Sequence, residues 1–211
     1  MSSRLFPLTF RIQLPRPQWL KISAAFFAVG LVLSLAGGLG LAFDSQPVSR
    51  SGLAALAYAV GLLSGATGVR VFQARKPIVG SQPAYRIMED PAAVGVVSAY
   101  FWAVVSAVFL LLFSLHRFGV RVPFSLAEKN LARHTAGAGF MTLLILSVGW
   151  KMLPGFGGGR PSARGLVWAA VVLGNLAALL RISPALLSAR ISSGRNWSLV
   201  FFPFAGIAGL G

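Results

Sequence analysis

Long apolar blocks alternate with short basic ones along the chain, and the block lengths decide the first question. Residues 22–43, 51–69 and 91–115 carry no charged side chain over 22, 19 and 25 positions. At about 1.5 Å per helical residue, each crosses a hydrocarbon layer roughly 30 Å thick and reads as a transmembrane helix. Residues 135–150, 165–180 and 196–211 are uncharged over only 16 positions, or about 24 Å of helix. These shorter spans need flanking residues whose charged tips reach the interface. The expected fold class is therefore all-α: a polytopic transmembrane bundle of five to six helices in residues 22–211, behind a basic arm in residues 1–21. The arm sets Arg4, Arg11, Arg16 and Lys21 among Pro7, Pro15 and Pro17, a mixture suited to the membrane surface rather than to a regular element. The first apolar block exceeds the about 7–15 residues of a signal-peptide core, so it is expected to remain as a helix. The last block runs to Gly211 with no polar tail after Trp197, which reads as a chain truncated near its final span.

Composition agrees, with 56% hydrophobic and 11% charged residues and a mean hydropathy of +0.76, outside the range of soluble domains. Lys and Arg number 19 against 4 Asp and Glu, a net charge of +15. The bases flank the apolar blocks instead of forming a patch, which argues against nucleic acid and for membrane lipids as partners. If the N-terminus is cytoplasmic, 11 bases fall inside and 8 outside, a weak preference for that orientation. Asp44, Glu89, Asp90 and Glu128 all lie outside the uncharged blocks, leaving no intramembrane carboxylate for an aspartyl protease or a proton relay. Without Cys there is no disulfide, thiolate metal site or cysteine nucleophile. GxSxG, HExxH and P-loop motifs are missing too.

Candidate chemistry concentrates in the fourth helix. Ser125-Leu-Ala-Glu128 has capping-box spacing, so this helix is expected to begin near Ser125, well ahead of its uncharged run. His134 then lies about 13 Å along it, and one of Arg133 and His134 is expected to face the bundle interior. On an α-helical wheel His134, Gly137, Ala138, Met141, Ile145 and Val148 share one stripe. An imidazole above small residues and a thioether suits haem iron, or Cu(I) if Met141 adds its sulfur. An interhelical hydrogen bond is the alternative for His134, and packing the alternative for Met141. His116, beside Arg117, reads as interfacial.

The run Arg133-His134, Gly139-Phe140, Thr142-Leu143, Val148-Gly149, Lys151 and Leu153-Pro154-Gly155-Phe156, with Asn175 and Leu180-Arg181 on the next helix, resembles the C-terminal half of the NnrS family. That family consists of polytopic bacterial inner-membrane proteins associated with haem and copper and with protection against nitric oxide. The likeness is confined to about residues 132–182, and this chain has roughly half of the family's helices. It implies a multi-pass protein of the bacterial cytoplasmic membrane, haem b or copper as cofactor, His134 as the ligand with Arg133 beside it, and a small gas as the physiological ligand.

Haem propionates require cations, and Arg133, Lys151 and Arg181 are the bases nearest to or inside the apolar segments. Lys151 and Arg181 also stand where helix dipoles and headgroups attract cations, which is their alternative role. The glycine-rich run from Pro154 to Pro161 reads as a connector, since it lacks the spacing of a phosphate loop. Gly61 and Gly65, Gly37, Gly38 and Gly40, and Gly137 and Gly139 permit close helix approach or a flat ligand. Asn175, mid-helix, should find an interhelical partner. Trp102, Trp150, Trp168 and Trp197 read as an interfacial belt. Besides an NnrS-like haem protein, the sequence accommodates a cofactor-free subunit or scaffold packing against further membrane helices, or a small-solute transporter. No catalytic cycle follows from it.

Overall fold

The computed structural model describes residues 16–38, 47–69, 89–120, 127–157 and 164–188. Every regular element among them is helical: α1 (Pro17–Gly38), α2 (Pro47–Val69), α3 (Pro91–Arg117), α4 (Ala127–His134), a π-helical segment (Thr135–Met141), α5 (Thr142–Gly157) and α6 (Arg164–Ser188). α4, the π segment and α5 run on as one span, so five helical stretches are long and apolar enough to cross a membrane: Pro17–Ala36, Arg50–Val69, Pro91–Arg117, Asn130–Met152 and Arg164–Ser183. The chain is an all-α, multi-pass membrane protein. Residues 196–211, the expected sixth span, lie outside the described residues, as do Ser125 and the side chain of Glu128.

Proline sets three of the starts. Pro17, Pro47 and Pro91 each open a helix, where the missing N–H is not needed and φ is already helical. The first helix consequently begins inside the segment expected to be an arm, and Lys21 belongs to α1 rather than to the surface stretch before it. Asp90 caps α3, its Oδ1 accepting from the Ala92 N–H at 3.1 Å.

α3 ends in a Schellman turn. Val120 N–H donates to Leu115 O and Gly119 N–H to His116 O, with Gly119 at φ +85°. Only glycine takes that angle without Cβ strain, so Gly119→Ala is expected to destabilise the protein by about 1–2 kcal/mol, read as a lowered midpoint in detergent unfolding. Since nothing stands within 4 Å of the place a Cβ would occupy, a loss there reports backbone strain alone.

The helices alternate in direction. The starts of α1, α3 and α6 and the ends of α2 and α5 share one membrane face; the ends of α1, α3 and α6 and the starts of α2 and α4 share the other. Among the described residues α1 packs chiefly on α2, through glycines. Ser23 Oγ donates to Gly61 O at 2.7 Å, Phe27 lies on Gly61, and the Tyr58 ring lies on Gly30. Gly61 and Gly65 are thus packing residues, as small-xxx-small spacing implies in a medium with no hydrophobic drive between helices. The rest of α1 is apolar and exposed, with Val32 at 64%, as expected of a lipid face. α3 is the centre, burying Ala92, Ala99, Ala103 and Ala107 between α2 on one side and the fourth span and α6 on the other.

Candidate functional site

The interior of the fourth span is built from polar and small residues that α3 and α6 hold in place. Thr135 Oγ1 donates back to Leu131 O at 2.9 Å and lies 3.1 Å from Ala132 O, which also accepts from Ser106 Oγ of α3 at 2.8 Å. One turn on, Gly139 takes the face of Trp102; a Cβ there would stand 2.5 Å from indole Cγ. The indole Nε1 donates to Asn175 Oδ1 of α6 at 2.9 Å, and Asn175 Nδ2 donates to Val171 O at 2.8 Å. Asn175 therefore has the interhelical partner its position called for. Trp102 does not join an interfacial belt: it is 1% exposed, at the centre of the bundle.

Between these two fastenings the helix widens. Thr142 N–H and Oγ1 both donate to Gly137 O, five residues back, the latter at 3.0 Å. The buried row on this span is Leu131, Thr135, Gly139, Leu143 and Ser147, strictly four apart. In an unbroken α-helix steps of four advance about 40° each and would wind off the face; the π turns lag, and the two drifts offset.

That phase change corrects the expected stripe. Met141 is 51% exposed and Ile145 65% exposed, so neither lies under His134 in a groove. Gly139 is filled by Trp102, while Gly137 is open, with nothing within 4 Å of where a Cβ would be. Arg133 is exposed rather than turned into the bundle, whereas His134, the last residue before the π segment, is half-buried. It stands four residues, about 6 Å of helix, inside the start of the span at Asn130.

Arg181 lies on the helix that packs beside α4. Ala178 and Ile182 pack with Leu131 and Ala132 in one apolar cluster, which brings α6 beside α4. Half-buried Arg181 lies between Ala178 and Ile182 along α6. Three of the residues singled out in the sequence are thus brought together: His134, Arg133 and Arg181.

Lys151 is not one of them. It lies at the opposite membrane face, in an ion pair with Asp90 at the start of α3, close to where the Arg164 guanidinium bonds Glu89 O. Its reach toward headgroup level meets a carboxylate there, and the α3 cap supplies one. His116 is exposed at the end of α3, as an interfacial residue should be. Residues 158–161 of the glycine-rich connector lie outside the described residues.

No group of three or more His, Asp or Glu side chains able to hold a metal ion exists among the described residues, and exposed Met141 lies off the His134 face. Haem iron needs one imidazole, and its propionates need cations. Half-buried His134, with Arg133 before it in sequence, Arg181 on the neighbouring α6 and an open flank at Gly137, is compatible with that requirement. No protein-family model, curated protein or solved structure matches the chain.

Proposed function

We propose that this chain is an NnrS-like protein of the bacterial cytoplasmic membrane that binds haem b through His134 and handles a small gas such as nitric oxide. The reading is supported by a half-buried imidazole four residues inside the start of the fourth span, preceded by Arg133 and carried on a helix against which α6, the helix of Arg181, packs. Ionisable residues are costly at that depth and are retained for function. His134 would be the iron ligand; Arg133 and Arg181 would hold the propionates by charge-assisted hydrogen bonds. Haem held there would supply the iron chemistry that binds a diatomic gas.

The chain's own contribution is placement. The Ser106 hydroxyl fixes the Ala132 carbonyl two residues before His134, and Trp102 fixes Gly139 five residues after it. The imidazole is therefore carried by backbone anchored on both sides to α3.

Titration of the purified full chain with haemin in detergent tests this. A stoichiometric Soret band is expected, lost in His134→Ala. In Arg181→Gln, binding should weaken about tenfold, the scale of one charge-assisted hydrogen bond. A chain that stays colourless, or a His134→Ala variant with unchanged spectrum and affinity, overturns the reading and favours a cofactor-free subunit packed against other membrane helices.

A further inference from the structure

The packing of the fourth span does not by itself call for the widened turn at Thr135–Met141. Its buried row is held from both neighbours. Trp102 of α3 rests on Gly139, Ser147 Oγ presses on Gly95 of α3 so closely that no Cβ could be added there, and Leu143 fills Gly174 of α6. With one residue removed between Thr135 and Gly139, the five residues of the row would stand at roughly 0, 40, −20, 20 and 60° around an ordinary α-helix. That is a stripe about 80° wide, which a regular helix buries without distortion. The span therefore carries one residue more than its contacts with α3 and α6 need.

The extra residue emerges on the exposed side, beside the candidate ligand. Gly137 is exposed, with nothing within 4 Å of where a Cβ would be, and its carbonyl is already occupied by the N–H and Oγ1 of Thr142. It follows half-buried His134 by three residues, on the adjoining turn. Backbone that is bare of side chain, with its carbonyl satisfied, lets a flat apolar group come closer than any other residue would allow. Single widened turns inside α-helices recur at functional sites.

We propose that the extra residue of the fourth span serves the His134 site and not the packing of the bundle: it sets the bare backbone of Gly137 beside the imidazole as the surface that a porphyrin approaches. The proposal rests on the haem reading, and adds to it the residue that decides whether a flat ligand has room.

Unfolding and haemin titration of the full chain in detergent, with Gly137 deleted, test it. The unfolding midpoint should stay at or above that of the wild type, because the span becomes a regular helix, while haemin affinity should fall about tenfold. Deletion of Ile145, also exposed, is the contrast: it turns Ser147 and Lys151 about 100° away from Gly95 and Asp90 and should lower the midpoint. Gly137→Leu keeps the residue count and the widened turn and meets no protein atom, so it should leave the midpoint unchanged and still lower haemin affinity about tenfold by filling the flank. A Gly137 deletion that unfolds as readily as the Ile145 deletion, or unchanged haemin affinity in either Gly137 variant, overturns the proposal and leaves His134 as the ligand. A wild-type chain without a Soret band overturns it together with the haem reading.

Discussion

Gly139→Ala is expected to destabilise the protein by about 1–3 kcal/mol, the usual cost of forcing an extra carbon into a filled core. The new methyl would stand 2.5 Å from Cγ and 2.7 Å from Cβ of Trp102. Neither atom is the loose end of a flexible chain. Trp102 is 1% exposed and its Nε1 is fastened to Asn175, so movement of the ring strains that hydrogen bond as well. Denaturant titration in mixed micelles measures the loss, and a double-mutant cycle assigns it. In a Trp102→Leu background, where the smaller side chain leaves room, adding Gly139→Ala should cost under half as much. An equal cost in both backgrounds would place the strain elsewhere than at the indole.

Asp90→Ala should have the second largest effect, about 1–2 kcal/mol, because one carboxylate does two jobs. Its Oδ1 caps the Ala92 N–H, and its Oδ2 pairs with Lys151 across from α5. The ion pair is partly exposed, at 17% and 30% for the two side chains, so screening holds its own share to about 0.2–1 kcal/mol. Lys151→Met, which removes the pair and spares the cap, should therefore cost less than Asp90→Ala. Asp90→Asn, which keeps a capping oxygen, should fall near Lys151→Met. The ordering is read from unfolding midpoints, and high salt should shrink only the ion-pair share. Equal losses in Asp90→Ala and Lys151→Met would mean that the cap contributes nothing.

Much of the architecture was legible because membrane spans need only length and the absence of charge. Residues 51–69 and 91–115 correspond closely to α2 and α3. Helix starts at Pro17 and Pro47 were hidden by polar neighbours such as Lys21 and Arg50, which a charge-based boundary excludes although helices continue through them. The association of His134 with Arg133 and Arg181 was half-visible: two are adjacent in sequence, and the third was a lone cation near the end of an apolar run. Arg133 was nonetheless expected deeper than its exposed position. The pairing of Lys151 was not legible, because nothing local says that an Asp capping another helix will stand opposite it. Trp102 was misassigned because an indole near a span end resembles an anchor until a distant Asn accepts its proton. The widened turn had the weakest signature of all. Thr135 and Thr142 bracket Gly137 and Gly139 in an otherwise apolar stretch, but whether a carbonyl pairs four or five residues on is decided by what α3 presses against it.

A wheel projection of the fourth span drawn at one uniform pitch consequently sorts its residues wrongly past Gly137, and Met141 is where the error shows. Two projections, joined with a single-residue offset, recover which side chains meet acyl tails and which meet α3. Scanning mutagenesis or accessibility labelling of this helix would yield two periodic series out of step with each other, and the step between them would mark the place where the protein accommodates one surplus amino acid without bending.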